Sequence, residues 1–235
     1  KDLCKKCWLD KIRKNIMKED YTHIAIVLDR SGSMSTMWSD VEGGFNSLVE
    51  DQKKEKGKAT LTLAAFDNVY EVIYDFEDLE NVDGVKVHPR NMTALLDAMG
   101  TTLNSTKETI DKLDEKPEKV LFVFMTDGLE NSSREFSKER VFEMIEELKG
   151  EEIDYDFTFI GANQDAISAG GGYGIRKDAS MTYAASGAGA TYALDSLSKG
   201  ITRFRSAKKV GGVKTKMSYV DEDYAAQDSL LDTDK

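Results

Sequence analysis

Two short apolar runs, residues 22–28 (THIAIVL) and 119–125 (KVLFVFM), constrain the fold of this chain more than any other feature. Both are rich in branched or aromatic side chains and lack the apolar/polar alternation of a strand with one face in water. Runs of this length and kind are strands buried on both faces, the arrangement found where helices cover both sides of a sheet. Each run leads into a carboxylate: Asp29 directly after the first, and Asp127, across Thr126, after the second.

The rest of the chain alternates in the same way. Val41, Phe45, Leu48 and Val49 have helical spacing and predict a helix over 37–54. Residues 58–66 and 69–76 are strand-like and are separated by Asp67 and Asn68, a pair suited to a tight hairpin. After an irregular stretch to Asn91, Leu95, Leu96, Met99 and Leu103 predict one long helix over 93–113. A helix over 138–149, a strand over 155–160, a short strand near 181–183 and a helix over 191–204 complete the order. The expected fold is α/β: a doubly wound, mostly parallel six-stranded sheet with one antiparallel edge strand and helices on both faces. Gly170, Gly171, Gly172 and Gly174 match no phosphate-loop spacing and are read as a flexible turn. Met92, Met99, Phe122 and Phe124 are read as core.

With 235 residues there is room for one sizeable α/β core. The expected division is an N-terminal extension over 1–20, a domain over 21–206 and a polar tail without its own core over 207–235. A formal charge of −11 argues against nucleic acid as a partner, and no apolar run approaches the roughly 18 residues of a membrane span. Basic residues gather in 1–20 and 203–216, which are read as solvated charge runs. Cys4 and Cys7 form a C-x-x-C, a spacing that suits half of a zinc ribbon or a redox pair, and Zn²⁺ is expected there only if further ligands come from outside this chain. With no secretory apolar segment in view, the expected setting is the cytoplasm, or a virion if the chain is phage-encoded.

In a doubly wound sheet, ligands bind beyond the carboxyl ends of the strands. Asp29 and Asp127 end two strands at that edge, and two carboxylates in a half-buried crevice call for a positive charge between them. Asp29, Ser31 and Ser33 place oxygen side chains at alternate positions of one turn, Gly32 lets that turn bend, and Thr93 heads a helix that starts at the same edge. Oxygen donors of this kind suit Mg²⁺ or Mn²⁺, with Ca²⁺ less favoured for want of charged ligands. If the hydroxyls carry the direct bonds, the ion stays electrophilic and attracts a carboxylate from a partner.

DRSGSM at residues 29–34, Thr93 in NMTALLDA and TDG at 126–128 together resemble the metal-ion-dependent adhesion site of von Willebrand factor A-type domains, a likeness that spans about residues 21–205. The resemblance implies that Ser31, Ser33 and Thr93 bind the ion directly, that Asp29 and Asp127 act largely through waters, and that a partner's Asp or Glu side chain completes the shell. Two further stretches, 43–68 and 159–166, resemble stand-alone bacterial and phage proteins of this type. The function so implied is a non-enzymatic, metal-dependent protein-binding module for adhesion or assembly. The alternatives are a structural component of a phage particle or other large assembly, and a Mg²⁺-dependent phosphohydrolase. The last expects an acid two residues after Asp29, where this chain has Ser31. Asn163, Gln164 and Asp165, like Glu130 and Asn131, either line the rim of the site or belong to plain surface loops. Trp38 is either an exposed anchor for a partner or a staple for the first helix. Arg30 and Met34 fit the motif without a role that the sequence supplies.

Overall fold

A computed structural model of the protein describes residues 16–162, 165–208, 211 and 213–231. Cys4, Cys7, Asn163 and Gln164 lie outside the described residues. The strands are β1 (Ile16–Asp29), β2 (Lys58–Phe66), β3 (Tyr70–Asp78), β4 (Glu115–Thr126), β5 (Asp154–Ala162) and β6 (Ser180–Tyr183). The helices are α1 (Trp38–Lys53), α2 (Leu95–Lys112), α3 (Lys138–Lys149), α4 (Ala166–Gly172), α5 (Gly187–Ser206) and α6 (Asp221–Leu231). The described residues form a six-stranded sheet in the order β3-β2-β1-β4-β5-β6. Every neighbouring pair is parallel except β2 with the edge strand β3.

The two apolar runs are the central strands. From Ile24 to Leu28 and from Val120 to Met125 each side chain is almost fully buried, because helices cover both faces of the sheet. Helices α1 and α5 pack on each other over one face, closely enough that a Cβ on Gly44 would meet Leu194 Cδ1 at 2.7 Å. Helices α2 and α3 pack together over the other. None of the described helices is long and apolar enough to cross a membrane.

Several sequence expectations are corrected. The glycine-rich stretch is only in part a turn: Gly170, Gly171 and Gly172 lie in α4, and Gly174 alone of the four is in the turn that follows. A Cβ on Gly170 would stand 2.5 Å from Ser180 Oγ and 3.3 Å from Phe159 Cβ, so glycine is needed there for close approach to the sheet. Met92 is not core but 55% exposed. The segment after residue 207 does not trail away: Thr215, Met217 and Tyr219 are buried, the Met217 amide donates to Asp156 Oδ2 at 2.6 Å, and α6 follows. Its alternating apolar pattern, TKMSY, is that of an extended segment with one face on a core. The basic stretch 203–216 is likewise not wholly solvated, for the buried Arg205 guanidinium donates to Gln52 O at 2.6 Å and Arg203 pairs with Asp223 at 3.2 Å.

His23 shows how the sheet builds a polar group into its interior. It is 0% exposed, stacks on Phe76 with ring centroids 3.7 Å apart, and shares a 2.9 Å hydrogen bond between Nδ1 and Thr60 Oγ1. Burial pushes its pKa down to about 3, so the native protein keeps the ring neutral where an unfolded chain would protonate it. Between about pH 6.5 and 3 the unfolded state binds the extra proton, and stability therefore falls as pH falls. From pH 6 to pH 5 this contributes a loss of about 1 kcal/mol. In urea melts at those two pH values, His23→Leu is expected to show a loss smaller by about that amount; an unchanged loss would mean that the ring titrates freely in the native state.

Candidate metal centre

The register of the central strands brings the two carboxylates together. Leu28 pairs with Met125, so Asp29 lies level with Thr126, one residue before Asp127. Asp29 is fully buried, and both its oxygens are held: the Ser31 amide donates to Oδ1 at 2.7 Å and the Thr126 hydroxyl to Oδ2 at 2.5 Å. Burial pushes its pKa up to about 6; the bonds from Thr126 and Ser31 oppose the shift, and the nearby Asp127 charge adds to it. Asp127 is partly buried and is also raised, mainly by desolvation.

The turn after β1 is a short 3₁₀ helix, Gly32–Thr36, which points both serine hydroxyls at Asp127. Ser33 Oγ donates to Asp127 Oδ1 at 2.7 Å, Ser31 Oγ lies 3.5 Å from the same oxygen, and the two hydroxyls are 3.1 Å apart. Thr93 is buried on the adjoining loop. A Cβ on Gly128 would stand 3.2 Å from Thr93 Oγ1, so the glycine after Asp127 leaves room for that hydroxyl. Asp29, Ser31, Ser33, Thr93 and Asp127 thus meet at one edge of the sheet.

Residues without a role in the sequence reading hold this edge in place. Arg30 is buried, with its guanidinium 2.6 Å from Glu71 and 3.6 Å from the fully buried Asp67. Arg90 closes the cluster with a 2.7 Å contact to Asp67. Around these ion pairs the backbones interlock, with Arg90 N donating to Arg30 O at 2.8 Å, Gly32 N to Asn91 O at 3.1 Å and Ala94 N to Asp67 O at 2.9 Å. Asn91 adopts φ of 61°, a left-handed conformation that asparagine tolerates better than most residues. The DRSGSM turn, the β2–β3 turn and the Thr93 loop are therefore one fastened unit.

The loop after β4 is fastened as tightly. The first turn of α2 has no side-chain cap of its own. Its unpaired amides are met from across the loop, Leu96 N by Glu130 Oε2 at 3.0 Å and Asp97 N by Ser133 Oγ at 3.1 Å. Glu130 also accepts from the amides of Ser132 and Ser133, while Asp97 accepts from those of Arg134, Glu135 and Phe136. Thr93 and Asn131 exchange two further bonds, each of 3.1 Å. Glu130 and Asn131 are thus braces that set Thr93 against Asp127. Asp165 caps α4, accepting from Ser168 N at 2.9 Å, and Trp38 is buried at the start of α1 as a staple, with Met34 buried nearby. Thr126, between the second apolar run and Asp127, is the one added partner that position alone could have flagged.

Among the described residues no group of three or more His, Cys, Asp or Glu side chains gathers to hold a metal. The donor set here is of another kind, two carboxylates and three hydroxyls, all oxygen, and such donors fit a hard divalent ion.

No family model matches the sequence, and no curated protein sequence matches it. Solved structures share its architecture. The vWF domain of the type V pili tip protein Mfa5 from Porphyromonas gingivalis superposes with a TM-score of 0.56 at 9% identity, over 82% of this chain and 98% of that one. Proximal thread matrix protein 1 from the mussel byssus gives 0.54 at 15% identity, over 77% of this chain and 46% of that one. The ArnB paralog VWA2 from Sulfolobus acidocaldarius gives 0.50 at 15% identity, over 81% and 46%. The chain spans less than half the length of the mussel and archaeal proteins.

Proposed function

From a chain with the von Willebrand factor A-type fold, we propose a non-enzymatic protein-binding module that captures a partner's Asp or Glu side chain through one divalent ion. The observation that carries this reading is the convergence of the Ser31 and Ser33 hydroxyls on one oxygen of Asp127, beside the buried Asp29. Ser31, Ser33 and Thr93 would hold the ion directly, with Asp29 and Asp127 balancing its charge largely through waters. Mg²⁺ or Mn²⁺ suits this set better than Ca²⁺, which takes more charged ligands. When bound, the ion would supply a Lewis-acid position that stays electrophilic, because no carboxylate of the chain would bind it directly.

The chain's own groups do the positioning. Thr126 and the Ser31 amide hold Asp29 in place, and the Arg30–Asp67–Arg90 cluster keeps the serine turn against the Thr93 loop. The site offers hydroxyls and carboxylates already engaged with one another, and Ser31 stands where a strand-end phosphohydrolase would place its second acid. A protein-binding reading is further supported by the company of the fold, which includes a tip protein of pili and a matrix protein of byssal threads.

Calorimetric titration of the metal-free protein with Mg²⁺ and with Mn²⁺ tests the site. Saturable binding to the wild type and its loss in Asp29→Ala are expected. A folded wild type that binds neither ion would overturn the reading.

A further inference from the structure

Eight large apolar side chains are markedly exposed among the described residues: Val69, Val72, Met92, Leu129, Phe142, Tyr192, Val213 and Val220. Scattered exposure of this kind is ordinary for a soluble protein. Three of the eight, however, sit on the three loops that the backbone ties around Thr93. Met92, 55% exposed, immediately precedes Thr93. Leu129, 72% exposed, lies two residues after Asp127, on the loop whose Asn131 amide donates to Thr93 O. Val69, 50% exposed, lies on the β2–β3 turn, where Asp67 O accepts from the amide of Ala94.

These side chains are held outward by their supports. The Val69 amide is fixed by Asp67 Oδ1 at 2.6 Å, Asn91 in its left-handed conformation turns the chain just before Met92, and Leu129 lies between Gly128 and the braced Glu130. The serine turn, by contrast, exposes only Gly32, Ser33, Ser35 and Thr36, all small or polar. The exposed large apolar side chains of this edge thus all lie on the three loops around Thr93, among the exposed Asn68, Asn91 and Asn131, and none lies on the serine turn.

We infer that the partner presents its carboxylate within a segment that carries large apolar side chains on one flank of the acidic residue, and that Val69, Met92 and Leu129 form the surface that selects it. This rests on the metal-dependent reading above and deepens it. A lone carboxylate at an exposed ion offers little discrimination, whereas apolar side chains covered by a partner add affinity with the apolar area they remove from water. The ion supplies the attachment point and the apolar rim the choice of partner.

The test is selection from a displayed library of peptides, each with a central Asp and randomised flanks, on the full chain in Mg²⁺ and in chelator. Mg²⁺ affinity is measured separately by calorimetry, for the wild type and for the triple variant Val69→Ser, Met92→Ser, Leu129→Ser. Magnesium-dependent enrichment of peptides with large apolar residues on one flank is expected. The triple variant should bind the enriched peptides at least about tenfold more weakly, with Mg²⁺ affinity unchanged. If the wild type binds Mg²⁺ but enriches no peptide, or enriches peptides without apolar flanks, or if the variant binds the peptides equally, the inference fails while the metal site stands. Absence of Mg²⁺ binding by the wild type would instead overturn the reading beneath it, and this inference with it.

Discussion

Replacing Lys119 by methionine is expected to cost the fold about 3 kcal/mol, seen in urea denaturation as a lower midpoint at unchanged slope. Lys119 opens the most apolar run of the sequence, yet its ammonium is buried and donates to the carbonyls of Phe204 at 3.1 Å, Arg205 at 2.8 Å and Ala207. Those carbonyls end α5, where the carbonyls of a helix's last turn lack intrahelical donors and carry partial negative charge. One cation from a central strand thus caps a helix that covers the sheet. Methionine fills nearly the same space, so packing survives and what is lost is the donor. Against that loss stands the relief of no longer burying an ammonium, which keeps the expected figure below the sum of three charged hydrogen bonds. A cost under about 1 kcal/mol would mean that water reaches the end of α5 and satisfies it.

Saturating Mg²⁺ or Mn²⁺ is expected to raise the melting temperature of the wild type and to leave that of Asp29→Asn where it is. An ion that binds only the folded protein, at one hundred times its dissociation constant, stabilises it by about 2.7 kcal/mol. For a domain of this size that is roughly 5–10 °C. Asparagine retains the shape of the site, since its oxygen can still accept from the Ser31 amide and its amide can face Thr126. The substitution therefore removes charge while leaving the strand pairing alone. Burial already raises the Asp29 pKa to about 6, so the metal-free variant should be no less stable than the metal-free wild type at neutral pH. Equal thermal shifts in both proteins would place the bound ion elsewhere.

Much of this architecture was legible because burial on both faces leaves a blunt mark. Residues 22–28 and 119–125 read as strands buried on both faces and form the centre of the sheet, and the pair at Asp67 and Asn68 marked the turn into the antiparallel edge. The five oxygen-bearing candidates were also legible as a set, since strand ends and a helix start at one edge must converge in such a sheet, and the structure brings all five to that edge. Harder to read were elements whose character depends on what they touch. Gly170 to Gly172 look like a loop, yet they are helical, and at Gly170 the close approach of Phe159 in β5 and Ser180 in β6 makes the lack of a side chain a packing requirement. The segment from Thr215 to Tyr219 carries an alternating pattern too short to stand out in a polar stretch, and it acquires meaning only beside β5.

The same division holds for individual residues. Local pattern was sufficient wherever a residue's role is set by its neighbours in the chain: the apolar runs, the helical spacing of Val41 to Val49, and the spacing of Asp29, Ser31 and Ser33 within one turn. Only the tertiary structure assigned Arg30, Asp67 and Arg90 to one buried cluster, Asp97 and Glu130 to the bracing of the Thr93 loop, and Lys119 to a helix end 85 residues away. A charged side chain carries no mark of where its counter-charge or acceptor will come from. Its cost of burial is offset by partners distant in the chain, and the fold alone brings them within reach.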